Sequence, residues 1–172
     1  MPLRTTFTST RYGQIERLCF TAPKTFDDAV AGLYLAISRP DVAKLTGRLA
    51  ITRDLGEFQR ITESAVGPGG LLEFLGLDLC ARTGVGPRSS SSYRMKRILA
   101  GNPTIMRRLA ECLPDAGSYV PISILVYETD EGARVCYDTL GSILAVYDCI
   151  KASQIAKDQD VRVISLIKSA MR

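Results

Sequence analysis

Residues 101–138 read GNPTIMRRLAECLPDAGSYVPISILVYETDEGARVCYD, and this stretch decides the fold. Asn102 is a strong N-cap residue and Pro103 suits the first helical position, where a missing N–H costs nothing. Ile105, Met106, Leu109 and Cys112 then recur at helical spacing until Pro114. From Pro121 to Glu128 the pattern changes to strict alternation, with Ile122, Ile124 and Val126 on one side and Ser123, Leu125 and Tyr127 on the other. A second strand is expected over Ala133 to Asp138, joined by Thr129-Asp130-Glu131-Gly132, whose glycine stands where a left-handed residue is needed. A capped helix followed by a hairpin, each with one apolar side, is the unit of an α+β domain.

Upstream, Tyr93 to Ala100 alternates as a strand with charge near its start. Before it, Arg82 to Ser92 holds Gly, Pro and four Ser, and is expected to be the first site of limited proteolysis. Leu71 to Leu79 is a run too apolar for an exposed strand, and is expected to be covered on both faces or to line a cavity. Gly67-Pro68-Gly69-Gly70 breaks the chain in front of it. Three helices are expected earlier: Thr25 with Asp28 caps one that runs toward Pro40, Asp41 caps a second, and Asp54 with Glu57 opens a third. The first strand is read at Gln14 to Thr21, and residues 1–13 as a disordered arm. Helices over about 142–151 and 158–171 complete the chain. The expectation is one α+β domain over residues 1–172, with a mixed or antiparallel sheet of about five strands and helices packed on one face.

The 172 residues are 46% hydrophobic and 23% charged, the balance of a soluble globular protein. A net charge of +4 is too slight for a nucleic-acid footprint. No apolar run approaches a membrane span or a signal peptide, so a cytoplasmic location is expected. Cys19, Cys80, Cys112, Cys136 and Cys149 are an odd number without a C-x-x-C pair, and read as small buried hydrophobes in a reducing compartment. Histidine is absent, which removes the usual general base near neutral pH and the Ser-His and Cys-His nucleophile pairs. The glycine-rich pieces do not follow a strand and open a helix, so they do not read as phosphate loops.

The segments Gly101-Asn102-Pro103, Ala116-Gly117-Ser118-Tyr119-Val120-Pro121, Leu125-Val126-Tyr127-Glu128 and Val135-Cys136-Tyr137-Asp138 together resemble the domain-of-unknown-function family 302, most strongly over residues 67–140. The resemblance implies a fold and no settled reaction. It also implies that a family segment Glu-x-Asp-His-Gly falls on Gly76, Leu77, Asp78, Leu79 and Cys80, where only the Asp is kept. A family metal function is thereby in doubt for this chain.

Polar residues on otherwise apolar strands supply the candidates. Lys96 or Arg94 could polarise a carbonyl, with Tyr127 or Tyr137 orienting it; only one of Arg94 and Lys96 is expected to face the ligand. Glu73, Asp78, Tyr119, Glu128 and Asp138 are candidate ligand contacts. No metal ligands and no cofactor are expected. The first expectation is a cofactor-independent cyclase or isomerase of the pericyclase kind, acting on an apolar terpenoid- or polyketide-like intermediate by holding a reactive conformer and donating one or two hydrogen bonds. Its rivals are a non-catalytic small-molecule-binding module and a metal- or haem-associated protein. The β-prone segment Ile122 to Val126 is a candidate edge for a homodimer.

Overall fold

The computed structural model describes residues 9–79 and 94–172. The expected loop 82–92, together with Cys80 and Tyr93, lies outside them, as do residues 1–8. Ser9 to Glu16 carry no regular structure, yet this part of the expected arm touches the domain: the Arg11 guanidinium lies 4.9 Å from the centre of the Tyr147 ring.

Six strands form one mixed sheet: β1 (Arg17–Ala22), β2 (Ile37–Ser38), β3 (Leu71–Asp78), β4 (Met95–Gly101), β5 (Ile122–Thr129) and β6 (Gly132–Asp138). Their spatial order is β1-β6-β5-β4-β3-β2, with every neighbouring pair antiparallel except β2 with β3. Since β2 has two residues, the sheet has five strands of ordinary length. The β5–β6 hairpin closes at Gly132, whose φ is 121°; a Cβ there would sit 2.3 Å from the Ala22 carbonyl oxygen. This is a place only glycine can fill. β5 lies between β4 and β6, so the edge proposed for a homodimer at Ile122 to Val126 is already paired on both sides.

The helices are α1 (Phe26–Tyr34), α2 (Val42–Ile51), α3 (Leu55–Ala65), α4 (Pro103–Cys112), α5 (Leu140–Leu144) and α6 (Ile150–Ala170). The expected caps form: Thr25, Asp41, Asp54 and Asn102 each accept a backbone N–H with the side chain. Several boundaries differ from expectation. α1 stops at Tyr34 and not near Pro40, because Ile37 and Ser38 pair in parallel with Leu71 and Leu72 and the Ala36 carbonyl accepts the Gly69 N–H at 2.9 Å. Tertiary pairing overrides the helical spacing of Ile37. Downstream, a short α5 and a 3-10 turn replace the helix expected over 142–151, and α6 starts at Ile150 rather than near 158.

Alternation along the strands divides the sheet into two faces. Ile98, Ala100, Ile122, Ile124, Val126, Ala133, Val135 and Tyr137 point to one face and pack in a single core with α1, α4, α5 and α6. An isoleucine buried as Ile124 is, with none of its surface exposed, stabilises the fold by ~1.5–3 kcal/mol. The smaller pair α2 and α3 covers Leu72 and Phe74, on the opposite side, at the β3 end only. Over β1, β6, β5 and β4 that second face carries no helix among the described residues. Among the described residues, no helix is long and apolar enough to cross a membrane.

Candidate functional site

The residues singled out from the sequence divide between these faces. On the covered side, the pleat brings Glu73, Asp78 and Lys96 together at the β3–β4 end. Lys96 Nζ lies 3.5 Å from Asp78 Oδ1, and the two are register partners. The Tyr34 hydroxyl of α1 donates a short hydrogen bond to Glu73, and burial, with that carboxylate second, holds the phenol well above its ordinary range. Arg39 lies 4.4 Å over the Tyr34 ring and Lys96 5.9 Å from it. Gly76 makes this arrangement possible, because a Cβ there would come 3.0 Å from Glu73 Oε1. The Glu73 carboxylate therefore lies in the space a side chain at position 76 would enter.

Arg94 does not leave β4 on the opposite side from Lys96. Residues two apart share a face, and both side chains meet α1: Arg94 makes two hydrogen bonds to Asp27, at 2.6 and 2.7 Å, and stacks 4.4 Å over Phe26. That pairing holds the Asp27 carboxyl below its usual range. Glu128 accepts the Arg94 backbone N–H at 2.9 Å and so anchors the strand start. Tyr137 is 1% exposed, and its hydroxyl donates to Asp160 Oδ1 at 2.5 Å. The same carboxylate accepts the N–H groups of Leu140 and Gly141 at 2.8 Å each, closing the start of α5. Burial pushes the Tyr137 phenol strongly up. These contacts describe a structural anchor inside the core.

The uncovered face is built differently. A hollow of about 320 Å³ is lined by Arg17, Met95, Arg97, Leu125, Cys136 and Asp138, among others. It adjoins a second of about 200 Å³ in which Arg97, Ser123 and Asp138 recur and Tyr119, Ile122 and Ile143 form the wall. Leu75, Leu77 and Leu99 lie on the same side of the sheet, with Leu75 47% exposed. Arg97 stands where the hollows meet and donates from Nε to Ser123 Oγ at 2.8 Å. Among the described residues it has no carboxylate partner. Arg17 grips Asp138 through two bonds of 2.6 and 2.8 Å, which holds that carboxyl below its ordinary range. The Tyr119 hydroxyl is 2.9 Å from that of Tyr147.

Asp138, Tyr119 and Tyr127 thus belong to this side and Glu73, Asp78 and Lys96 to the other; the sheet separates them. Sequence reasoning left Arg97, Arg17, Ser123 and Tyr34 out of the candidate site residues. Arg97 was within reach, since alternation on β4 groups it with Met95 and opposite Ile98.

The cysteines are not independent buried thiols. Cys19 is exposed and its Sγ is 2.8 Å from that of Cys136. Cys149 lies against Cys112, with its Sγ 3.7 Å from the Cys112 carbonyl, and burial followed by Cys149 raises the Cys112 thiol. Among the described residues, no three Cys, Asp or Glu side chains gather as metal ligands.

The class defined so far is an α+β domain with a half-covered curled sheet. The model of a family described as domain of unknown function DUF302 matches residues 90–170, so the resemblance read from the sequence is shown over that stretch. The match takes in β4 to α6 and leaves out the Gly67–Gly70 turn and β3, where the family's Glu-x-Asp-His-Gly segment was laid. A crystal structure of an uncharacterized conserved protein DUF302 from Bacillus stearothermophilus superposes with a TM-score of 0.62 at 11% identity, covering 91% of this chain and 98% of that one. At that identity the likeness shows the fold alone. No curated protein matches the sequence.

Proposed function

We propose that the protein is a small-molecule-binding module whose uncovered sheet face accepts an organic anion with an apolar body. One observation carries this reading: the Arg97 guanidinium stands at the junction of two adjoining hollows, without a carboxylate partner among the described residues and beside an apolar floor of Met95, Leu99 and Leu125. Ligand sites combine mostly apolar lining with a few placed polar groups, and a guanidinium matches a carboxylate in shape and charge. Decanoate is the probe. Titrated against the labelled protein, it should shift amide signals of β1, β4, β5 and β6, whereas decanol should bind at least about tenfold more weakly. Losing one charge-assisted contact costs ~1.5–3 kcal/mol, so Arg97→Gln should weaken decanoate about tenfold or more and leave decanol unchanged. Equal affinity of wild type and variant for decanoate would remove the reading.

A second reading keeps the cofactor-independent cyclisation or isomerisation of an apolar intermediate. The Tyr34, Glu73, Asp78 and Lys96 cluster favours it, since it joins a cation, a phenol with a raised pKa and two carboxylates at one end of the sheet. Turnover of a candidate intermediate that survives Arg97→Gln but falls ~10²-fold in Lys96→Met would support this reading over the first.

A further inference from the structure

On the uncovered face, β1 and β6 oppose three pairs in file: Arg17 with Asp138, Cys19 with Cys136, and Thr21 with Arg134. Directly opposed residues of an antiparallel pair have Cα atoms ~4.5–5.5 Å apart, inside the ~4.4–6.8 Å that a disulfide spans. The register alone therefore permits a cross-strand bond, and the thiols already touch, with Sγ atoms 2.8 Å apart. The pair is also asymmetric. Cys19 is exposed at the sheet edge and Cys136 is buried, lining the larger hollow beside Arg17. Arg17 and Arg134 flank it along the ladder. Arg134 is directed across the strands, with its Nε donating to Thr21 Oγ1 at 2.9 Å.

We propose that Cys19 and Cys136 form a dithiol–disulfide couple that exchanges with small acidic disulfides entering the groove. The Cys19 thiolate attacks one sulfur of the incoming disulfide; a Cys19–S bond forms, the incoming S–S bond breaks, and one thiolate leaves. Cys136 then gives up its proton and attacks the Cys19 sulfur, closing the cross-strand bond and releasing the second thiolate. Two protein thiols are oxidised and one small disulfide is reduced to two thiols. Burial, then Cys19, holds the Cys136 thiol up to about 11, which keeps it protonated during the first attack; its contact with the Cys19 sulfur is what brings it into the second. The couple stands on the register and the thiol contact; only its preference for acidic partners rests on the anion-binding reading above.

The test uses the full reduced chain with two reagents, the dianionic 5,5′-dithiobis(2-nitrobenzoate) and the neutral 2,2′-dithiodipyridine. After brief treatment and digestion without reductant, the peptide holding Cys19 should be found linked to the one holding Cys136. Cys136→Ser should instead trap the reagent on Cys19 as a stable mixed disulfide, and Cys19→Ser should lose the fastest phase of reagent consumption. If both cysteines stay reduced, or each keeps its own reagent in the wild type, the couple is overturned. The anionic reagent should link the pair faster, and Arg97→Gln should reduce that advantage about tenfold, a modest loss of electrostatic steering. A link formed at equal rates with both reagents keeps the couple and removes the anion-binding reading.

Discussion

The two faces of one sheet treat polar residues in opposite ways. On the covered face, the groups that the strands bring in are answered: Tyr137 by Asp160, Glu73 by Tyr34, Lys96 by Asp78. Burial without a partner costs several kcal/mol, which favours pairing of the polar side chains that these strands carry inward. On the uncovered face, Arg97 has a hydroxyl partner and no carboxylate among the described residues, and Cys19 meets another thiol. Exposure lets water serve the remaining valences there. A tyrosine or lysine in an apolar strand is therefore no sign of a site until its face is known.

The largest effect expected from this contrast is at Asp160, 8% exposed and accepting three hydrogen bonds. Asp160→Ala would leave the Tyr137 hydroxyl and two backbone N–H groups unanswered in the core. Urea unfolding should show a loss of ~3–5 kcal/mol, since each unanswered buried donor costs ~1–3 kcal/mol. A loss smaller than about 1 kcal/mol would mean that water reaches this network and that the covered face is not sealed.

The two tyrosines of the hairpin sharpen the contrast. Tyr137→Phe removes one donor from Asp160 and should cost ~1–2 kcal/mol. Tyr127→Phe, on the open face, should stay within about 0.5 kcal/mol of wild type. Similar losses for both would erase the distinction between the faces.

Why the fold was legible and the site less so follows from particular residues. Asn102-Pro103, the alternation of Ile122, Ile124 and Val126, and Gly132 each carry a local physical requirement, and each is met where it was read. Ile37 was misread because its helical spacing is outweighed by pairing with Leu71, a contact that no local window contains. The site fails for the same reason on a larger scale. Cys19 and Cys136 are 117 residues apart, and odd cysteine count and missing C-x-x-C spacing say nothing about strand register. Arg94 and Lys96 drew attention as charges in a strand, while Arg97, the arginine on the uncovered face of that strand, was hidden by its resemblance to an ordinary solvated residue.

Gly76 offers a finer break. Gly76→Ala puts a methyl group against Glu73 Oε1, which an added Cβ would approach to 3.0 Å. The carboxylate must move, loosening its bond from Tyr34, while alanine recovers ~0.5 kcal/mol of glycine's backbone penalty. A net loss of about 1 kcal/mol is expected, with the Tyr34 phenol titrating closer to its ordinary range by ring-proton NMR. An unchanged Tyr34 titration would separate Gly76 from this cluster.

The smallest effect belongs to the exposed pair of Arg17 and Asp138, and its sign follows from the titration. Arg17 holds the Asp138 carboxyl below its unfolded value of ~3.9. The folded state thus binds its proton less readily than the unfolded chain, and the pair's contribution is complete above the unfolded pKa and disappears as pH falls through the folded one. The Arg17 side chain is 64% exposed, so solvent and salt screen most of the attraction. Asp138→Asn should therefore be less destabilising near pH 7 than Gly76→Ala, and the difference from wild type should shrink as pH falls below the unfolded pKa and the carboxyl takes up its proton. Urea midpoints of the two proteins across this range give the test. A penalty that persisted at low pH would belong to packing of the Asp138 side chain against the groove wall and not to its charge.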